Sequence, residues 1–283
     1  SSDLYRLAAP RAREFRGSVR NFTAAGLNIT ELRLGHSRMS RDPAGPSGNG
    51  MSYFSLVLQV RGAARVLPGS DDARAREAIV IGAHYDHVGF GGRLSLSPDK
   101  TGEIHNGADD NASGTASIIE MARAAAADRR RFPRTLIFIA FAGEERGLLG
   151  SAHYVSQPRV PIEDTVAMLN LDMVGRANGA VDVSGLEVSP SMEADLEAAV
   201  KASGSMLKVR REGPGAGRSD DYSFTERRIP AINFFTGFHD DYHRPGDDWQ
   251  KIDVPGTARV ARLALELAAR LANRETRPEF ASK

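Results

Sequence analysis

Gly107-Ala108-Asp109-Asp110-Asn111-Ala112-Ser113-Gly114 is a Gly-flanked loop carrying two adjacent acids, directly before a long Ala-rich stretch. Four other polar clusters share one grammar with it. His84-Tyr85-Asp86-His87 follows the apolar run IVIGA, and Glu144-Glu145 follows LIFIAFAG. Asp172 follows VAMLNL, and Tyr242-His243 comes a short loop after INFF. Apolar runs of this length, bounded by Gly and polar residues, read as buried strands. A strand that ends in His, Asp or Glu delivers those side chains to one edge of a sheet, where open α/β sheets place their ligands.

Working outward, the strands fall at residues 52–60, 78–83, 135–141, 165–171, 181–183 and 229–235. Helical stretches fall between them at residues 113–127, 148–155, 191–202, 221–227 and 257–273, with Asn111 or Ser113 as candidate N-cap of the first. Alternating strands and helices predict a three-layer α/β/α fold around a mostly parallel, mixed sheet. Before it come an expected amphipathic helix at residues 10–25 and a Gly/Pro/Ser-rich loop at residues 36–50. The expected division is residues 1–75, as an appendage or the first elements of the same domain, and residues 76–283 as the catalytic unit.

Composition excludes several classes. The 283 residues carry a formal charge of +1, so nothing favours nucleic acid or an anionic membrane as partner. No apolar run approaches the ~20 residues of a membrane span, and no signal peptide is visible. With no Cys in the chain, there is no thiolate ligand and no Cys nucleophile, and any metal must be held by His, Asp and Glu. No G-x-S-x-G motif supports a serine nucleophile.

One acid or His at a strand end is ordinarily a cap or a solvated group. Four such coincidences plus an acid pair exceed what capping explains, and the neighbouring Glu144 and Glu145 repel unless cations lie close. Two His and three carboxylates suit a pair of divalent ions, Zn²⁺ first, with Co²⁺ or Mn²⁺ as substitutes. A carboxylate shared between two ions would set them ~3.5–4 Å apart, and water between them would become acidic enough to act as hydroxide near neutral pH. A further carboxylate could take that proton and pass it to a leaving amine.

The motifs GAHYDHVG, NGADDNASG, FAGEERGLLGS, LNLDMVG, GRSDDYSF and FFTG…DYHRPGDDW, spread over about residues 77–270, resemble the co-catalytic di-zinc exopeptidases that include secreted bacterial leucyl aminopeptidases. The resemblance implies that Asp109 bridges the metals and that Asp110 follows it across a cis peptide bond. It implies that His84 and Asp172 complete one metal site, and Glu145 and His243 the other. Glu144 would be the general base and then acid, Asp86 would orient His84, and Tyr242 would donate to the developing oxyanion. His87 and His105 are expected to be structural or supporting. The implied substrate is a peptide with a free N-terminus, and the implied location is secreted or periplasmic. Rival readings are a carboxypeptidase, with Arg218 or Arg244 meeting the substrate carboxylate, a glutaminyl cyclase of the same fold, or a non-catalytic metal-binding module.

Overall fold

The computed structural model describes residues 74–100, 102–212 and 219–281, together with three short strands nearer the N-terminus. These are β1 (Phe22–Ala24), β2 (Leu27–Ile29) and β3 (Leu56–Leu58). Then follow β4 (Ala78–His84), α1 (Gly114–Ala127), β5 (Thr135–Phe141), α2 (Leu149–Ser156), β6 (Thr165–Leu171) and β7 (Ala180–Ser184). The chain closes through α3 (Glu193–Ser203), β8 (Lys208–Arg211), α4 (Asp221–Thr225), β9 (Ala231–Phe235) and α5 (Val254–Asn273).

Seven strands form one sheet in the order β3-β5-β4-β6-β9-β7-β8. β5, β4, β6 and β9 run parallel, β3 joins β5 antiparallel, and β7 joins β9 antiparallel with β8 parallel to it. The sheet is thus mixed with a parallel centre, as expected. Alternation along β4 sends Ile79 and Ile81 to one face and Val80 to the other, and both faces are buried. The first face packs under α1, α3 and α5, and the second under α2 and α4. In α5, Val260, Leu263, Ala264, Leu267 and Leu271 form the buried stripe that helical spacing demands.

The expected helix at residues 10–25 meets a correction where it can be compared: Phe22–Ala24 is a strand paired with Leu27–Ile29. The rest of that helix and the loop at residues 36–50 lie outside the described residues. β3 pairs with β5 at one edge of the main sheet. β8 had no sequence signal, since Lys208, Arg210 and Arg211 give an exposed edge strand without apolar alternation. Among the described residues no helix is long and apolar enough to cross a membrane.

Candidate metal centre

The parallel strands β4, β5 and β6 all end at the same edge, and their polar followers meet there. Two groups of side chains converge. The first is His84, Asp110 and Asp172; the second is His87, Asp110, Glu145 and His243. Asp110 belongs to both. Its Oδ1 is 3.3 Å from His84 Nε2, which in turn is 3.2 Å from Asp172 Oδ1. Its Oδ2 is 3.2 Å from His243 Nε2 and 3.6 Å from His87 Nδ1. Glu145 meets His243 through Oε2 at 3.1 Å and His87 through Oε1 at 3.0 Å.

Of the acid pair, Asp110 reaches the cluster, and Asp109, expected as the bridging residue, does not. The Asp109 carboxylate is engaged elsewhere: Oδ1 accepts from Gly175 N at 2.6 Å and Ser113 Oγ at 3.0 Å. The cis peptide bond is likewise one residue on, between Asp110 and Asn111. A buried carboxylate, Asp247, accepts from both Asp109 N and Asp110 N and is itself held by Arg176 at 2.8 Å. Asn111 Oδ1 accepts from Gly114 N and Met173 N, so it caps α1 and ties the loop to the end of β6. Gly114 starts α1 so close to β6 that a Cβ would lie 2.3 Å from Leu171 O.

The other expected residues take these places. His84 Nδ1 faces the backbone carbonyl of Asp86 at 3.1 Å, whereas the Asp86 carboxylate accepts from the backbone N–H groups of Glu144 and Glu145. The Asp86 carboxylate also lies 3.8 Å from His84 Nδ1, so it faces both the Glu pair and that ring. His243, at a left-handed φ of 51°, donates from Nδ1 to Leu94 O at 2.7 Å, and its carbonyl accepts from Leu96 N. That bond leaves Nε2 of His243 to face the carboxylates. Tyr242 stacks on His243 with ring centroids 4.0 Å apart. His105 bonds Ser95 and the Glu103 carbonyl, outside the converging set. Arg244 donates to Ser97 Oγ, and Arg218 lies outside the described residues. His87, expected to be structural or supporting, stands beside Glu145 and Asp110. Its spacing, three after His84 in a non-helical segment, gave no sign that both rings would face Asp110.

Charge follows from this crowding. Burial alone would lower the His243 pKa, but Asp110 and Glu145 outweigh it and push it up to about 10. The same contest, won by Asp172 and Asp110, holds His84 well above its ordinary value. Asp110 and Glu145 are held low against burial by these histidines. Glu144 goes the other way, up to about 9, through burial first and then the charges of Asp172, Asp220 and Glu145, against the pull of His84. Without a metal, imidazolium protons neutralise the carboxylates; cations that displaced them would release protons.

The donors fit zinc by a simple test. Four donors at ~2.0–2.1 Å in a tetrahedron stand about 3.3 Å apart, and the contacts above run from 3.0 to 3.6 Å. The donor chemistry, imidazole and carboxylate without thiolate, suits the same ion.

The sequence profile described as Peptidase family M28 matches residues 64–268. The chain belongs to peptidase family M28. Aminopeptidase YwaD of Bacillus subtilis is 29% identical to this M28 chain over 221 residues, which is 73% of the chain and 44% of YwaD. A solved zinc aminopeptidase from Bacillus subtilis, BSAP, superposes with a TM-score of 0.55 at 28% identity, covering 68% of the chain and 45% of BSAP. The glutaminyl cyclase of Porphyromonas gingivalis matches with a TM-score of 0.66 over 84% of the chain and 82% of its own, but at 19% identity this likeness concerns the fold alone. The chain spans about half the length of the curated relatives it matches.

Proposed function

We propose that this chain is a zinc aminopeptidase that hydrolyses the first peptide bond of peptides with a free N-terminus. The observation that carries the reading is Asp110, whose two oxygens face two separate donor groups at one sheet edge. His84, Asp110 and Asp172 would hold one ion, and Asp110, Glu145 and His243 the other. When bound, such a pair of ions acidifies a water at neutral pH and polarises the carbonyl under attack.

The chain's own residues supply the rest. Glu144 is assigned to no ion. Its carboxyl holds a proton readily among neighbouring acids, which suits a group that takes a proton from water and gives it to the leaving amine. Asp86 fixes its backbone. Tyr242 keeps its phenolic proton, because burial and then the charges of Asp110 and Glu145 raise its pKa. It can therefore donate to a developing oxyanion. The acid-rich edge attracts an α-ammonium. Asp241 is not that partner, since Arg176 and Lys251 already occupy it.

A leucyl peptide, its N-acetyl form and the C-amidated version of each test the reading. Hydrolysis lost on acetylation and indifferent to amidation is expected. The reverse pattern would make the protein a carboxypeptidase. Release of a cyclised N-terminal glutaminyl product would make it a cyclase, and no turnover with metal bound would leave a binding module.

A further inference from the structure

We propose that a cleft at the end of the sheet opposite the candidate metal centre binds a small oxyanion, a phosphate or a carboxylate, through Arg270. The cleft has a volume of about 340 Å³, and Arg131, Arg270 and Arg274 line it together with Asp195, Glu266 and Asn273. It lies between the last turns of α5, the turn that leads into β5 and the start of α3. Arg131 precedes β5, so the cleft sits at the amino ends of the parallel strands, whereas His84 and Glu145 lie at their carboxyl ends. It is thus remote from the peptidase chemistry and owes nothing to it.

Two of the three guanidinium groups are already paired. Arg131 Nη2 donates to Glu266 Oε2 at 2.7 Å, and Arg274 Nη1 donates to Asp195 Oδ2 and to Ser191 O. Arg270 has no such pair, and its Nε is buried with no acceptor among the described residues. A buried donor without an acceptor is rare and costly, more so on a charged group. Capping is not its task, because the carbonyls of this helix end are engaged. Asn273 Nδ2 donates to Ala269 O, Arg274 N to Arg270 O, Arg134 Nη1 to Leu271 O and Ala272 O, and Arg74 Nη1 to Asn273 O. Arg270 and Arg274 also stand one helical turn apart, where like charges repel. The cleft therefore holds more positive than negative groups, and the one left over is a planar fork. Such a fork fits two oxygens of a carboxylate or a phosphate. An anion there would offset the repulsion and tie α5 to the turn before β5.

The test is isothermal titration calorimetry of the full chain with inorganic phosphate, with acetate, and with chloride at the same ionic strength. Phosphate, acetate or both should bind and raise Tm, and chloride should do neither. The preference between the first two identifies the class of oxyanion. Arg270→Gln should weaken binding about 10–100-fold, the loss of hydrogen bonds to a charged group. Arg76→Gln, exposed and outside the cleft, should leave it unchanged. If Arg270→Gln does not fold, Arg131→Gln replaces it. That change frees Glu266, one turn before Arg270 on α5, to take the guanidinium, and binding should weaken likewise. An equal response to chloride would reduce the effect to screening and overturn the proposal. No binding by the wild type, or unchanged affinity in the cleft variant, would overturn it too.

Discussion

Asp109 and Asp110 show what one position of register costs. Sequence could mark the loop as a ligand loop, because two acids between glycines before a helix have few other uses. Which acid points inward depends on partners far along the chain: Gly175 N and Ser113 Oγ take Asp109, and Asp247 holds both backbone amides. No local pattern encodes that choice. Asp110→Asn should therefore abolish binding of two zinc ions, whereas Asp109→Asn should retain both, with elemental analysis after zinc loading as the check; the opposite result would restore Asp109 to the shared position. The Glu pair divides in the same way. Glu144→Gln should cut turnover ~10²–10⁴-fold with metal content intact, and Glu145→Gln should lose one ion.

At the scale of elements, the apolar runs were legible because their periods are short and their ends are marked by Gly and charge. β6 occupies residues 165–171 and β5 residues 135–141, as read from sequence. β8 was not legible, since its residues are read by pairing with β7 and not by burial. Element docking also relies on Arg134, fully buried at the start of β5. It pairs with Glu77 and donates to the carbonyls of Leu271 and Arg274, closing the end of α5 against the sheet. Carbonyls in and just past the last turn of a helix lack partners within it, and the guanidinium supplies them here. Arg134→Met keeps most of the volume and strands the carbonyls. It should cost about 3 kcal/mol, from hydrogen bonds to a charged group worth ~1.5–3 kcal/mol each, read as a lower urea midpoint at unchanged slope.

Across the whole molecule, buried acids set the balance between metal and fold. Asp220 is fully buried, and its pKa is pushed up to about 7, by burial first and then by Asp172 and Asp86 against His84. An unfolded Asp titrates near ~3.9, so folding favours the protonated form. That contribution is complete below about pH 4 and is lost as pH rises to about 7. The chelated protein should therefore lose thermal stability across this window, and Asp220→Asn should flatten the Tm profile there. An equally steep profile in the variant would assign the loss to other groups. The N-terminal residues 1–75 show the limit of reading a chain by pattern alone. One strand of that segment, β3, was legible and joins the sheet edge, while the pairing of β1 with β2 was hidden under a helical period.

The bonds between His243 and the segment around Leu94 and Leu96 tie a surface loop to a proposed metal donor. Whatever holds the imidazole in place also shields the loop's peptide bonds from cleavage. Phe90 and Leu96 stand 55% and 51% exposed on that loop, attractive to a chymotrypsin-like protease once the backbone can bend to fit its cleft. Limited proteolysis thus becomes a gauge of metal occupancy. Cleavage at Phe90 or Leu96 should be slow in the zinc-loaded chain, rapid after chelation, and slow again when zinc is returned, before any global unfolding is seen by circular dichroism.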